Sequence, residues 1–170
     1  MSDLVILESP SKAKTVQKYL GKKYHVVACV GHIRDLPKSK LGVDVEHDFE
    51  PVYENKKDKA NLIKELKGFV KKSGTVYLAT DPDREGEAIS WHLANVLGLD
   101  GSKPIRVTFS EITKSGVETG MKNPRSLDTD LINAQQARRI LDRIVGYKLS
   151  PFLWKRCAEG FPQDGCSRLQ

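Results

Sequence analysis

The chain has 170 residues, enough for one substantial hydrophobic core and the beginning of a second. Lys and Arg outnumber Asp and Glu by 28 to 22, and the resulting net charge of +6, with a pI near 9.2, favours polyanion binding without specifying it. No apolar stretch is long enough to span a membrane, and the opening MSDLVIL carries neither a charged lead nor a cleavage signal, so a cytoplasmic protein is expected.

The first expected strand covers residues 4–7, Leu-Val-Ile-Leu, and delivers Glu8 at its C-terminal end. Ser9 and Pro10 suit an N-cap and a first helical residue; Ala13, Val16 and Leu20 follow at helical spacing, and Gly21 closes the helix. Lys12 and Lys14 lie in its first turns, where a cation works against the helix dipole; a bound phosphate would account for them. Glu8 reads either as a surface acid capping its own helix or as part of a site. A second strand is expected over residues 24–30. In the Gly/Pro-bounded loop that follows, 31–37, His32, Arg34 and Asp35 serve a structural network or line a site. Residues 41–53 lack periodicity and read as an irregular connection. Over 56–72, Leu62, Ile63, Leu66, Phe69 and Val70 share one face of an amphipathic helix whose lysine-rich face is solvated.

The chain's most informative stretch comes next. Residues 75–80 are short, β-rich and uncharged, as suits a strand buried on both faces of a parallel sheet, and they stop abruptly at Asp81. Asp81, Asp83, Glu85 and Glu87 place four carboxylates within seven residues. From Glu85 onward the pairs Ala88/Ile89, His92/Leu93 and Val96/Leu97 mark a helix with one buried face, ended by Gly98. Such an acidic turn is either a helix N-terminus stabilised by the macrodipole or an oxygen-only site for a hard cation such as Mg2+. A second strand-end acid, Glu8, favours the metal site. Residues 105–109 form a further strand with Arg106 at its start, and Ser110-Glu111-Ile112-Thr113 leads into another helix. A last helical pattern, 131–146, carries Arg138, Arg139 and Arg143 away from its apolar face.

Five blocks, ESPSKAKT from Glu8, VGHIRDLP from Val30, ATDPDREGEAI from Ala79, RVTFSEIT from Arg106 and NAQQARRILDRIVGYKLSPFLW from Asn133, together resemble the N-terminal part of bacterial type IA DNA topoisomerases of the topoisomerase I kind. The resemblance implies an α/β fold: a Rossmann-like Toprim domain over residues 1–125, with a central, mostly parallel sheet flanked by helices. The start of a helical domain follows over 126–155. It implies a Mg2+ centre at Asp81, Asp83 and Glu85, with Glu8 adjoining and acting as general acid/base on the DNA 3′-oxygen. Lys12 and Arg106 would neutralise phosphate charge, His32, Arg34, Arg138 and Arg139 would add DNA contacts, and Arg84 and Glu87 would support the site. The implied partner is a single-stranded segment of negatively supercoiled DNA at the nucleoid, cleaved and rejoined through a 5′-phosphotyrosine without ATP. None of the tyrosines, at positions 19, 24, 53, 77 and 147, occupies the family's nucleophile motif, so the chain alone is expected to be inactive. Two other classes remain open on the residues themselves. A metal-dependent Toprim nuclease would cut DNA without a covalent adduct, and a non-catalytic binding module would hold DNA equally well without Mg2+.

The resemblance stops at Lys155, where the family continues with LSAGRVQS. The final residues, RCAEGFPQDGCSRLQ, admit synonymous codons whose shifted frame spells VRRRLSAGRVQSLA, so residues 156–170 read as an out-of-frame tail produced by loss of one base after the Lys155 codon. Cys157 and Cys166 then carry no evolved role, and these two with Cys29, at no metal-site spacing, are expected as reduced thiols.

Overall fold

The computed structural model describes residues 2–99 and 105–158, with side chains as far as Trp154. Beyond Ala158 the expected tail, with Cys166, lies outside the described residues, as does the Cys157 side chain. The chain divides into two compact units, Met1–Asp35 with Glu54–Gln136, and Leu36–Tyr53 with Ala137–Gln170.

In the first unit, β1 (Asp3–Leu7) leads into α1 (Pro10–Leu20), and β2 (Tyr24–Ala28) follows a single 3-10 turn. Then come β3 (Arg34–Asp35), with β6 (Glu54–Asn55) as its antiparallel partner, α2 (Ala60–Lys72), β7 (Val76–Leu78), α3 (Arg84–Leu97), β8 (Ile105–Arg106) and α4 (Lys114–Lys122). The main sheet is parallel throughout, in the order β2-β1-β7-β8, with Val5 opposite both Val26 and Tyr77. Because successive strand residues point to opposite faces, β1 splits its side chains between two cores. Leu4 and Ile6 pack with Ile63 and Leu66 of α2 and with Ile89 and Leu93 of α3; Val5 and Leu7 pack with Val16 of α1 and Val117 of α4. Helices therefore cover both faces, which explains why β1 reads as an unbroken apolar run. This is the expected α/β fold with a parallel central sheet.

Several boundaries differ from expectation, each for a local reason. Ser9 takes the N-cap conformation of α1, but its hydroxyl bonds Ser11 at 2.8 Å instead of capping the helix. The second strand stops at Ala28, because Val30 and Gly31 adopt φ of 56° and 75° and turn the chain away. Gly98 closes α3 in the left-handed conformation, φ 69° and ψ 40°, as its sequence position indicates.

The second unit contains β4 (Val43–Asp44) paired antiparallel with β5 (Glu50–Pro51), where the sequence suggested an irregular connection. Its strands are two residues long and its turn is held by Asp44 Oδ1, which accepts the Glu46 and His47 N–H groups, so no side-chain periodicity announced it. The last helix, α5 (Thr129–Ala158), begins in the first unit and runs on past Gly146 and Pro151, well beyond the expected end. Among the described residues no helix is long and apolar enough to cross a membrane.

His92, in the buried face of α3, makes stability depend on pH. Burial, and then the charges of Arg34 and His32, push its imidazole from 6.5 down to about 3, with Asp35 opposing. Between those values the unfolded chain holds a proton that the folded chain does not, so stability falls as the solution is acidified through this window. Urea titrations between pH 7 and 4 should show a loss of up to about 1.4 kcal/mol per pH unit from this group. His92→Gln should flatten that slope.

Candidate functional site

β1 and β7 are parallel neighbours, so their C-terminal ends open on one edge of the sheet. Glu8 follows β1 directly and Asp81 lies just beyond β7, the position at which open α/β sheets bind ligands. The proximity of the acids is visible in their electrostatics. Burial, and then the charges of Asp81 and Asp83, raise the Glu8 carboxyl above its usual value, while His32 and Lys12 pull it back. A carboxyl held up in this way is suited to exchanging a proton nearer neutrality.

Each remaining carboxylate already has a partner. The Lys12 ammonium, from the first turn of α1, donates to both Asp81 Oδ1 and Oδ2 at 2.6 Å. Asp83 is the N-cap of α3, its Oδ1 accepting the Gly86 N–H at 2.7 Å. Glu85 Oε2 lies 3.2 Å from His32 Nε2 and accepts from Gln135 Nε2 at 3.3 Å. The strained turn at Val30 and Gly31 directs the chain toward that His32 contact. A β-branched residue at φ 56° is sterically unfavourable, and Lys59 Nζ holds the Val30 carbonyl at 3.0 Å. Beside Lys12 and Asp81 a cleft of about 220 Å³ opens, lined also by Leu7, Pro82, Phe109 and Glu111.

As the side chains stand, no group of three or more His, Cys, Asp or Glu among the described residues converges tightly enough to hold a metal ion. The expected set of Glu8, Asp81, Asp83 and Glu85 is therefore brought to one edge without being gathered. The donor chemistry nonetheless fits a hard divalent ion: the acids offer carboxylate oxygens, the charges of Asp81 and Asp83 raise Glu8, and an ammonium already stands in as a cation against Asp81.

Arg106 departs furthest from expectation. Instead of meeting a DNA phosphate it is completely buried, at 0% exposure, and its guanidinium is consumed inside the protein. Nε donates to Glu87 Oε2 at 3.0 Å, Nη1 to the carbonyls of Leu78, Thr80 and Val107, and Nη2 to the Asp81 carbonyl at 2.7 Å. It thus fixes the backbone that carries Asp81. Glu87, also fully buried, receives Arg125 Nη1 and Nη2 and the Asp128 N–H as well. Burial alone would raise its carboxyl; the hydrogen bonds from Arg125 and Asp128 and the charge of Arg106 outweigh that and hold it below the usual range.

The other expected residues divide between the units. Arg84 is the exposed first residue of α3, and Arg34 is half-buried in β3. Arg138 and Arg139 belong to the second unit. There Arg138 approaches Asp142 at 3.8 Å, and Arg139 lines a cleft of about 340 Å³ along α5 with Arg143 and Tyr147. Sequence reasoning missed Gln135 and Arg125. Gln135 lies within the NAQQARR block and could have been singled out there, whereas Arg125 stands in an irregular segment with no pattern around it.

A family model described as the Toprim domain matches residues 3–112. Among solved structures the chain is similar to full-length topoisomerase I from Thermotoga maritima, with 53% sequence identity and a TM-score of 0.84. That match covers 89% of this chain and 26% of the other, so the chain spans about a quarter of the relative's length.

Proposed function

This chain belongs to the Toprim domain family, and on that premise we propose that it supplies the Mg2+ and proton-transfer centre of a type IA DNA topoisomerase, acting in the cytoplasm on single-stranded segments of supercoiled DNA. The observation that carries this reading is the meeting of Glu8, Lys12 and Asp81 where parallel strands end, with Glu8 raised above its usual pKa.

In this reading Asp81 and Asp83, with Glu85, hold Mg2+, which when bound supplies positive charge beside the phosphate that reacts. Glu8 gives its proton to the departing 3′-oxygen as a tyrosine outside this chain forms the phosphotyrosine bond, and takes it back when that oxygen returns. A raised carboxyl pKa serves both directions. Lys12 lends positive charge to the phosphate, and His32 orients Glu85. Arg106 acts at one remove, through the Asp81 backbone, instead of touching DNA. Relaxation proceeds without ATP, because the phosphotyrosine conserves the energy of the broken phosphodiester.

Isothermal titration calorimetry of the 170-residue chain with Mg2+ tests the metal assignment. Weak binding is expected, and Asp81→Ala combined with Asp83→Ala should abolish it. Loss of the Asp83 cap costs only about 1 kcal/mol, too little to unfold the domain. Undiminished Mg2+ binding by the double variant would show the assignment to be wrong.

A further inference from the structure

We propose that Lys12 is an exchangeable counter-ion: it occupies Asp81 until a divalent cation takes the carboxylate, and the released ammonium then turns to a nucleic-acid phosphate, so that metal and DNA bind cooperatively. The proposal rests on the Mg2+ reading above.

Three observations support it. First, the ammonium covers both oxygens of Asp81 at 2.6 Å, the face of the carboxylate that an incoming cation needs. A metal and Lys12 cannot hold it in the same way at once. Second, the pair can be exchanged. The two side chains are 37% and 39% exposed, so solvent weakens their attraction, and the long lysine stem can swing without moving the backbone. Arg106, by contrast, reaches only the Asp81 carbonyl and is locked in place. Third, Lys12 has a second place to go. It lines the open cleft beside Asp81, and it projects from the first turn of a helix that has no acidic residue there, where backbone N–H groups favour an anion. A phosphate would satisfy that helix end and the freed ammonium together. By linkage, whatever Mg2+ does to DNA affinity, DNA does equally to Mg2+ affinity.

The test compares wild type, Lys12→Met and Lys18→Met, the last removing the same charge from the exposed side of the same helix. Mg2+ affinity is measured by calorimetry, and affinity for a fluorescein-labelled single-stranded decathymidylate by anisotropy, with and without Mg2+ at constant ionic strength. Lys12→Met is expected to bind Mg2+ roughly threefold or more tighter than wild type, the competitor having gone. Lys18→Met should match wild type within about twofold. Mg2+ should tighten DNA binding by wild type and by Lys18→Met, but not by Lys12→Met. Equal Mg2+ affinity in wild type and Lys12→Met, or an undiminished Mg2+ effect on DNA binding in Lys12→Met, would overturn the exchange while leaving the metal site standing. Absence of Mg2+ binding in all three chains would overturn the metal reading and the exchange with it.

Discussion

Glu87→Ala should lower the unfolding free energy by about 3–5 kcal/mol, a large share of the stability of a domain this size, measured by urea denaturation at pH 7. The substitution removes the carboxylate that neutralises Arg106, whose side chain has no exposed surface, and abandons Arg125 and the Asp128 N–H as well. Burial lowers the Arg106 pKa, yet its ordinary value is so far above neutrality that the guanidinium stays charged and is left uncompensated. Glu87→Gln should recover little, because an amide can accept a hydrogen bond without supplying charge. Replacing both members by apolar residues often rescues a buried ion pair, but Glu87→Leu with Arg106→Met should not do so here. Arg106 also satisfies the carbonyls of Thr80, Asp81 and Val107, and methionine would take that donor from each of them, whereas the Leu78 carbonyl would keep the Val107 N–H. The pH dependence has a definite sign. Since the folded Glu87 carboxyl lies below its usual 4.5, its contribution is complete above that value and disappears as the pH falls below it.

Gly86→Ala should destabilise the domain by about 1–3 kcal/mol, although glycine to alanine inside a helix normally gains about 1 kcal/mol. The reversal comes from contact with the site. A Cβ on Gly86 would stand 2.1 Å from the Asp81 carbonyl oxygen and 2.9 Å from the Asp81 nitrogen and carbonyl carbon, all of it backbone. Either α3 withdraws or the Asp81 turn shifts. The second movement disturbs the carbonyl that Arg106 holds and the carboxylate that Lys12 covers. Calorimetric scanning should register a Tm lowered by about 2–4 °C for each kcal/mol. In the same samples Mg2+ affinity should fall, which a loss of helix stability elsewhere in the domain would not produce.

These contacts show what was legible beforehand. The apolar runs before Glu8 and Asp81, the helix that Gly98 closes, and the placing of both acids at strand ends follow from periodicity and punctuation, which act over a few residues. The opposite fate of Arg106 does not. Arginine is almost never fully buried unless paired, and its ionic partner Glu87 lies 19 residues before it, on α3, so no local pattern reveals the pairing. Val30 is similar: nothing about a valine announces φ 56°, and the strand expected to include it stops two residues short. The ion pair between Lys12 and Asp81 was likewise invisible. Each residue read as a separate contributor, one to phosphate and one to metal, because their meeting depends on the pairing of β1 with β7.

That pairing also sets when the site can exist during folding. Lys12 and Asp81 are 69 residues apart in the chain, whereas β1 finds β2 across a much shorter loop. Loop-closure entropy makes the longer pairing the slower event, so a chain with β1 and β2 already joined still has no place for a cation. On the Mg2+ reading proposed above, a divalent ion acts only on molecules that have closed the sheet. It draws the equilibrium toward the native state by delaying escape from it, and does nothing to hasten arrival.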